Sequence, residues 1–131
     1  MTNEEKKLLL KDLCARLPYF VYVQIEGKTE PEPLNSFMDD DGFWFQLYDE
    51  NGIGEGFDVE QIKPYLRQMS SMTEEEYEDF RKTFKWFEQF DENLFEWTYE
   101  SYDWLNAHHF DYRGLIKKGL ALEATDDVYK K

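Results

Sequence analysis

The sequence predicts an α+β fold on three observations. Residues Tyr19–Glu26 alternate, with Tyr19, Val21, Val23 and Ile25 on one side and Phe20, Tyr22, Gln24 and Glu26 on the other. That is the period of a strand, and its β-branched residues suit one. From Ser70 the period lengthens: Tyr77, Phe80, Phe84 and Phe87 recur at i, i+3, i+7 and i+10, one stripe of a helix. Finally, Thr2 with Glu5 and Thr73 with Glu76 both form the capping box that marks a helix start.

The elements follow in order. A first helix runs from the Thr2 cap to about Arg16, where Pro18 stops it. The Tyr19–Glu26 strand turns at Gly27-Lys28, and the two prolines of Thr29–Pro33 suit an edge or loop. Leu34–Met38 and Phe43–Tyr48 form a hairpin across Asp39-Asp40-Asp41-Gly42, since Asp-Gly tolerates the positive φ of tight turns. Phe57–Leu66 returns as a short strand and turn interrupted by Pro64. Together these predict a small antiparallel sheet, curled in the manner of an SH3-like barrel. The helix from Thr73 extends to about Phe90, and a second spans Trp97 to His108. Asp111 caps a short third helix through Lys118, closed by Gly119. Two or three carboxy-terminal helices therefore pack on the sheet. One domain of residues 1–131 is expected, sheet-rich over about 18–68, helical over about 70–122, with a frayed tail at 124–131.

A net charge of −14 accompanies 11 Phe, 9 Tyr and 4 Trp, so the chain has the apolar surface to fold and an acidic exterior to present. Negative charge is spread along the whole length, and no basic segment exists to grip phosphates. Direct nucleic-acid binding and attachment to anionic membranes are excluded on that ground. No apolar run approaches a membrane span, and the three-leucine run near the amino terminus is too short for a signal-peptide core, so a soluble, cytoplasmic protein is expected. The single cysteine, Cys14, permits no internal disulfide or multi-cysteine zinc site; its neighbours Leu10, Leu13 and Leu17 predict a buried, inert thiol.

Motifs for chemistry are weak. Asp49, Asn51, Gly54 and Glu60 occupy positions 1, 3, 6 and 12 of a calcium loop, but position 5 is Ile53 and a strand precedes it. The Gly52–Gly56 run lacks the Lys-Ser/Thr of a phosphate loop, and Glu55 would repel phosphate. His108, His109, Asp111 and Arg113 form the densest polar cluster. Adjacent histidines on a helix point about 100° apart, so they do not readily share a metal, and His near a helix end satisfies terminal carbonyls. No catalytic residue, metal or cofactor is expected.

The aromatics are more informative. If the sheet buries Tyr19, Val21, Val23 and Ile25 with Phe43, Phe45 and Leu47, its other face carries Phe20, Tyr22, Trp44 and Tyr48. Either helices cover that face or it is an aromatic binding patch. With the acidic first turn at Glu74, Glu75 and Glu78, it makes the candidate partner surface.

Three segments carry a resemblance: Ile62–Arg67, Met69–Glu76 and Trp104–Leu115, the last with its His-His-Phe-Asp-Tyr-Arg-Gly-Leu run. Together the chain resembles a group of small proteins, without an assigned activity, encoded by gut Bacteroidetes and their prophages or mobile elements. The resemblance implies a cytosolic accessory protein and transfers no catalytic residue. The expected function is a non-enzymatic acidic protein that binds a protein partner, a basic one suiting its charge. Two alternatives stand beside it: a DNA mimic occupying the basic groove of a host nucleic-acid-binding or defence protein, and a small hydrolase or metal-dependent enzyme using His108, His109 and Asp111. Oligomeric state is not legible.

Overall fold

A computed structural model describes residues 1–34, 36–39, 43–48, 54–87, 94–125 and 128–129, with the backbone alone for those within 36–56. Helix α1 (Asn3–Arg16) starts where its capping box dictates. The Thr2 hydroxyl accepts from the Glu5 amide at 3.1 Å, and the Glu5 carboxylate accepts from the Thr2 amide at 3.0 Å. Its inward face is Leu9, Asp12, Leu13 and Arg16, spaced i, i+3, i+4 and i+7. Cys14 is exposed rather than buried. It lies about 100° round the helix from Leu13, and the inward positions beside it are taken by a polar pair, Asp12 and Arg16.

The first strand is shorter than its alternation predicts. Pro18 sits in a 3-10 turn, Leu17–Tyr19, that uses up Tyr19 and ends at Phe20 in the left-handed region, φ 53°. Strand β1 is therefore Tyr22–Ile25, followed by β2 (Glu32–Pro33), β3 (Ser36–Asp39), β4 (Phe43–Tyr48), β5 (Gly54–Asp58) and β6 (Ile62–Leu66). These do not make one antiparallel sheet. Strands β3, β4 and β5 form a three-stranded meander, whereas β1 pairs with β2 and β6 in a separate sheet. Pro64 is tolerated inside β6 because it faces Val23, a position where the ladder to β1 asks for no amide.

Helix α2 (Glu74–Arg81) stops two turns after its Thr73 cap instead of reaching Phe90. Thr83 is the reason. Its hydroxyl donates to the Phe80 carbonyl at 2.7 Å, and its own carbonyl accepts from the Thr98 hydroxyl at 2.8 Å, so side chains take bonds the next turn would need. The chain instead forms a hairpin of β7 (Lys85–Trp86) and β8 (Phe95–Glu96). Phe84 still packs edge-on against Phe80 at 4.7 Å, although it is off the helix. Helix α3 (Tyr99–Ala107) starts from a Thr98–Ser101 capping box.

After α3 the expected third helix is replaced by turns. The Asp111 carboxylate accepts from the Leu115 and Ile116 amides, both at 2.9 Å, which ties the loop without helical repetition. Gly119, at φ 76°, closes the turn as a glycine after a helix would: Leu120 N–H donates to Leu115 and Gly119 N–H to Ile116. Strand β9 (Leu122–Glu123) then runs parallel to β6, giving a four-stranded sheet of order β2-β1-β6-β9.

Two apolar clusters result. One joins Leu9 and Leu13 of α1 to Val21, Val23, Ile25, Ile62 and Leu66 of the sheet; the other gathers Phe80, Phe84, Leu105 and Phe110. Between them runs an ionic seam. Arg16, with no exposed surface, donates to Asp12 at 2.8 Å and to the Phe110 carbonyl at 2.6 Å, and Arg113 donates to the other Asp12 oxygen at 2.7 Å. Breaking a buried pair from one side leaves an uncompensated charge and costs about 3–5 kcal/mol. Asp12→Asn is accordingly expected to lose about 3 kcal/mol or more, read as a lower urea midpoint. Asp12→Leu combined with Arg16→Met and Arg113→Met, which leaves none of the three charges unpaired, should lose less than the single change.

Candidate functional site

Helix α2 positions the first concave surface. A groove of about 640 Å³ runs beside it, walled by Met69, Met72, Tyr77, Phe80 and Trp97, with Glu74 and Glu78 from successive helical turns at the rim. The capping box orients these residues. Thr73 accepts from the Glu76 amide at 3.1 Å, and the Glu76 carboxylate accepts from the Thr73 amide at 3.0 Å, fixing the entry of the helix. Glu76 is thereby turned away from the groove, onto Arg67, which grips both carboxylate oxygens at 2.7 Å. That grip holds the Glu76 carboxyl down at about 2. Glu74 and Glu78 remain exposed, as does Glu75, which lies outside the groove lining. The floor is closely packed: Phe80 meets the Trp97 ring edge-on at 5.4 Å and stacks on Trp104 at 4.9 Å. Tyr77, by contrast, is 44% exposed.

A second pocket, of about 540 Å³, lies where the end of α3 meets the start of β1 and the chain's last turn. Tyr19, Phe20, Tyr22, Arg67, His109 and Tyr129 contribute to its wall. Tyr129 belongs to the stretch expected to fray, yet its ring stacks on His109 at 3.7 Å and 7°, and its hydroxyl donates to the Tyr65 carbonyl at 2.6 Å. Burial raises the Tyr129 phenol well above its ordinary value. Burial also pushes His109 down to about 4, with Arg16, His108 and Arg67 adding repulsion, so its imidazole is neutral near pH 7.

The predicted site residues do not gather in one place. Phe20 is 62% exposed, whereas Tyr22 is half-buried against Tyr129. Trp44 and Tyr48 are on β4, in the other sheet, and their side chains lie outside the described residues. The four therefore do not share a single sheet face: β1 never pairs with β4. Of the calcium-like loop, Asp49 and Asn51 lie outside the described residues, Gly54 opens β5, and Glu60 pairs with Lys6.

The polar cluster also diverges. His108 stacks on Trp104 at 3.9 Å and its Nδ1 donates to the Trp104 carbonyl at 2.8 Å. His109 faces Tyr129, Asp111 holds the Leu115 and Ile116 amides, and Arg113 holds Asp12. Four neighbours in sequence have four separate tasks, and no three His, Cys, Asp or Glu side chains converge as a metal group among the described residues. Sequence reasoning missed the Arg67–Glu76 grip, Trp97 and Tyr129. Met69 and Met72, flanking a cap, were a usable signal for the groove; nothing local marks Tyr129.

Compared with protein-family models, with curated proteins and with solved structures, the chain matches none. No helix among the described residues is long and apolar enough to cross a membrane.

Acid should weaken the fold in two windows. The Glu76 carboxylate, at about 2 in the fold against an ordinary 4.5, stabilises fully above 4.5 and loses that contribution as pH falls toward 2. His109, at about 4 against 6.5, is protonated first in the unfolded chain, so stability declines as pH falls from 6.5 to 4. Denaturant unfolding across pH should show His109→Gly flattening the upper window and Glu76→Gln the lower one.

Proposed function

We propose that the protein is a non-enzymatic acidic binding module, and that its α2 groove receives an apolar segment of a protein partner flanked by lysines or arginines. The observation that carries this reading is the pairing of a methionine and aromatic floor with a carboxylate rim, at Glu74 and Glu78, in one groove of about 640 Å³. Methionine adapts its shape to an apolar anchor, and aromatic rings supply large rigid contact area. Tyr77, half out of the groove, is placed to close over such an anchor. The carboxylates favour basic flanks and speed their approach, and a net charge of −14 extends that preference to the whole surface. The same charge argues against direct nucleic-acid binding. A cytosolic setting, with an accessory role on a mobile element, belongs to the proposal.

The DNA-mimic alternative needs a regular band of carboxylates. Helix α2 offers only two turns, and Glu76 is withdrawn from its surface onto Arg67, so the groove reading draws the better support. An enzyme built on His108, His109 and Asp111 draws none from side chains engaged in three different directions.

Peptide display against the full chain should enrich sequences with a Leu, Met or Trp anchor between basic residues. Tyr77→Ala is expected to weaken the enriched peptides about tenfold or more. Replacing Glu74 and Glu78 together by Gln should reduce the salt dependence of binding, and Phe20→Ala should leave affinity unchanged. Enrichment without basic flanks, or binding indifferent to Tyr77→Ala, would sink the proposal.

A further inference from the structure

The Tyr129 hydroxyl occupies an unusual place in the sheet. Strands β1 and β6 pair at Ile25↔Ile62, Gln24↔Lys63 and Val23↔Pro64, and one more step would set Tyr22 against Tyr65. Bonded pairs alternate along an antiparallel ladder. Glu26 N–H donates to the Gln61 carbonyl, which puts Tyr22 and Tyr65 in bonding phase. Instead, Tyr22 N–H donates to the Tyr129 oxygen at 3.0 Å, and the Tyr129 O–H donates to the Tyr65 carbonyl at 2.6 Å. A phenol from 107 residues away is inserted into a ladder bond.

The surroundings fit the ring as closely as the strands fit the hydroxyl. His109 lies parallel to it at 3.7 Å, and Tyr22 meets it edge-on at 5.4 Å and 71°. Two residues around the slot and its adjoining pocket hold backbone that glycine would adopt more easily. Phe20 at φ 53° and His109 at φ 65° are the two non-glycine residues of positive φ among those described, and both line the adjoining pocket of about 540 Å³. His109 stands where a helix usually ends in glycine, with Phe110 N–H reaching back to Leu105 and His109 N–H to Asn106. Strain of this kind persists where the side chain is wanted at that spot.

We propose that this slot is a binding site for para-hydroxyphenyl groups, and that Tyr129 is its built-in competitor. A donor from Tyr22, an acceptor at Tyr65 and an imidazole face define a phenol more closely than any other small group. The exchange leaves no backbone group unpaired in either state. With a phenol in place, the two strand groups bond to it; with the slot empty, the Tyr22 N–H and the Tyr65 carbonyl close on each other and extend the ladder by one bond. An incoming phenol makes the same bonds as Tyr129 and must overcome only the tether that keeps Tyr129 close, and the open pocket beside the ring gives it an entry. The proposal is independent of the α2 groove, because Tyr77 has no part in it.

The test is titration of the unmodified chain with p-cresol, followed by the NMR signals of the Tyr22 amide and the His109 ring. Toluene, which has the ring without the hydroxyl, is the control. The expected result is that p-cresol shifts both signals and frees the Tyr129 ring, and that toluene at equal concentration does neither. Tyr129→Phe, which keeps the ring and loses both hydrogen bonds, should bind p-cresol more tightly than the unmodified chain, and Tyr129→Ala about tenfold or more so. His109→Gly suits the left-handed backbone and should keep the fold while losing the binding. Tyr77→Ala should bind p-cresol as the unmodified chain does. A tyrosine-bearing peptide that outcompetes free p-cresol identifies the source as a partner's side chain; equal affinity identifies a free phenol. No response of the unmodified chain to p-cresol at millimolar concentration, or an equal response to toluene, overturns the proposal, as does tighter binding confined to Tyr129→Ala, which is then only a cavity refilled.

Discussion

The structure depends on one buried guanidinium. Arg16 has no exposed surface, and its bonds run to Asp12 on its own helix and to the Phe110 carbonyl 94 residues away. Those bonds join the sheet-side cluster to the aromatic cluster, and Arg113 completes the contact from the far side of Asp12. Its Nη1 has no hydrogen-bond partner among the described residues, so the site tolerates little further loss. A charge removed from water is costly unless its partners are held in place. Packing on both sides of the seam, by Leu13 and by Phe110, is what holds them.

The same arrangement recurs with every arginine and reconciles an acidic chain with an aromatic one. The sequence has four: Arg16, Arg67, Arg81 and Arg113. Each pairs with a carboxylate, respectively Asp12, Glu76, Glu78 and Asp12. Each also lies over an aromatic ring, among them Arg67 over Phe110 at 4.2 Å and Arg113 over Tyr112 at 4.5 Å. A planar, weakly hydrated cation does both at once, which lysine would do less well. Three of these pairs are wholly or partly buried, so each cation is withdrawn from the surface together with its carboxylate, while Glu74, Glu75 and Asp79 stay exposed.

The groove and the phenol slot are two products of this framework. Arg67 connects them: its guanidinium turns Glu76 away from the groove, and its side chain forms part of the second pocket's wall. Its backbone meanwhile bonds to His109 and Asp111, which sets the left-handed turn that presents the His109 ring. A change at Arg67 would therefore be felt at both surfaces, whereas Tyr77 and Tyr129 each belong to one.

By itself, the sequence determined the local elements. The Thr2–Glu5 and Thr73–Glu76 boxes start helices because cap and partner are three residues apart, and Val21, Val23 and Ile25 turn inward because a strand alternates. The α+β class and the acidic first turn of α2 were legible for the same reason. The end of α2 was not, because the bond that stops it comes from Thr98, 15 residues on. The separation of β4 from β1, the parallel seating of β9 on β6, and the exposure of Cys14 beside a buried Asp12 and Arg16 likewise have no local signature. Tyr129 is the extreme case. Its place between Tyr22 and Tyr65 was decided by tertiary structure alone, since a hydroxyl shows in sequence that it will bond, and only the fold supplies what it bonds to.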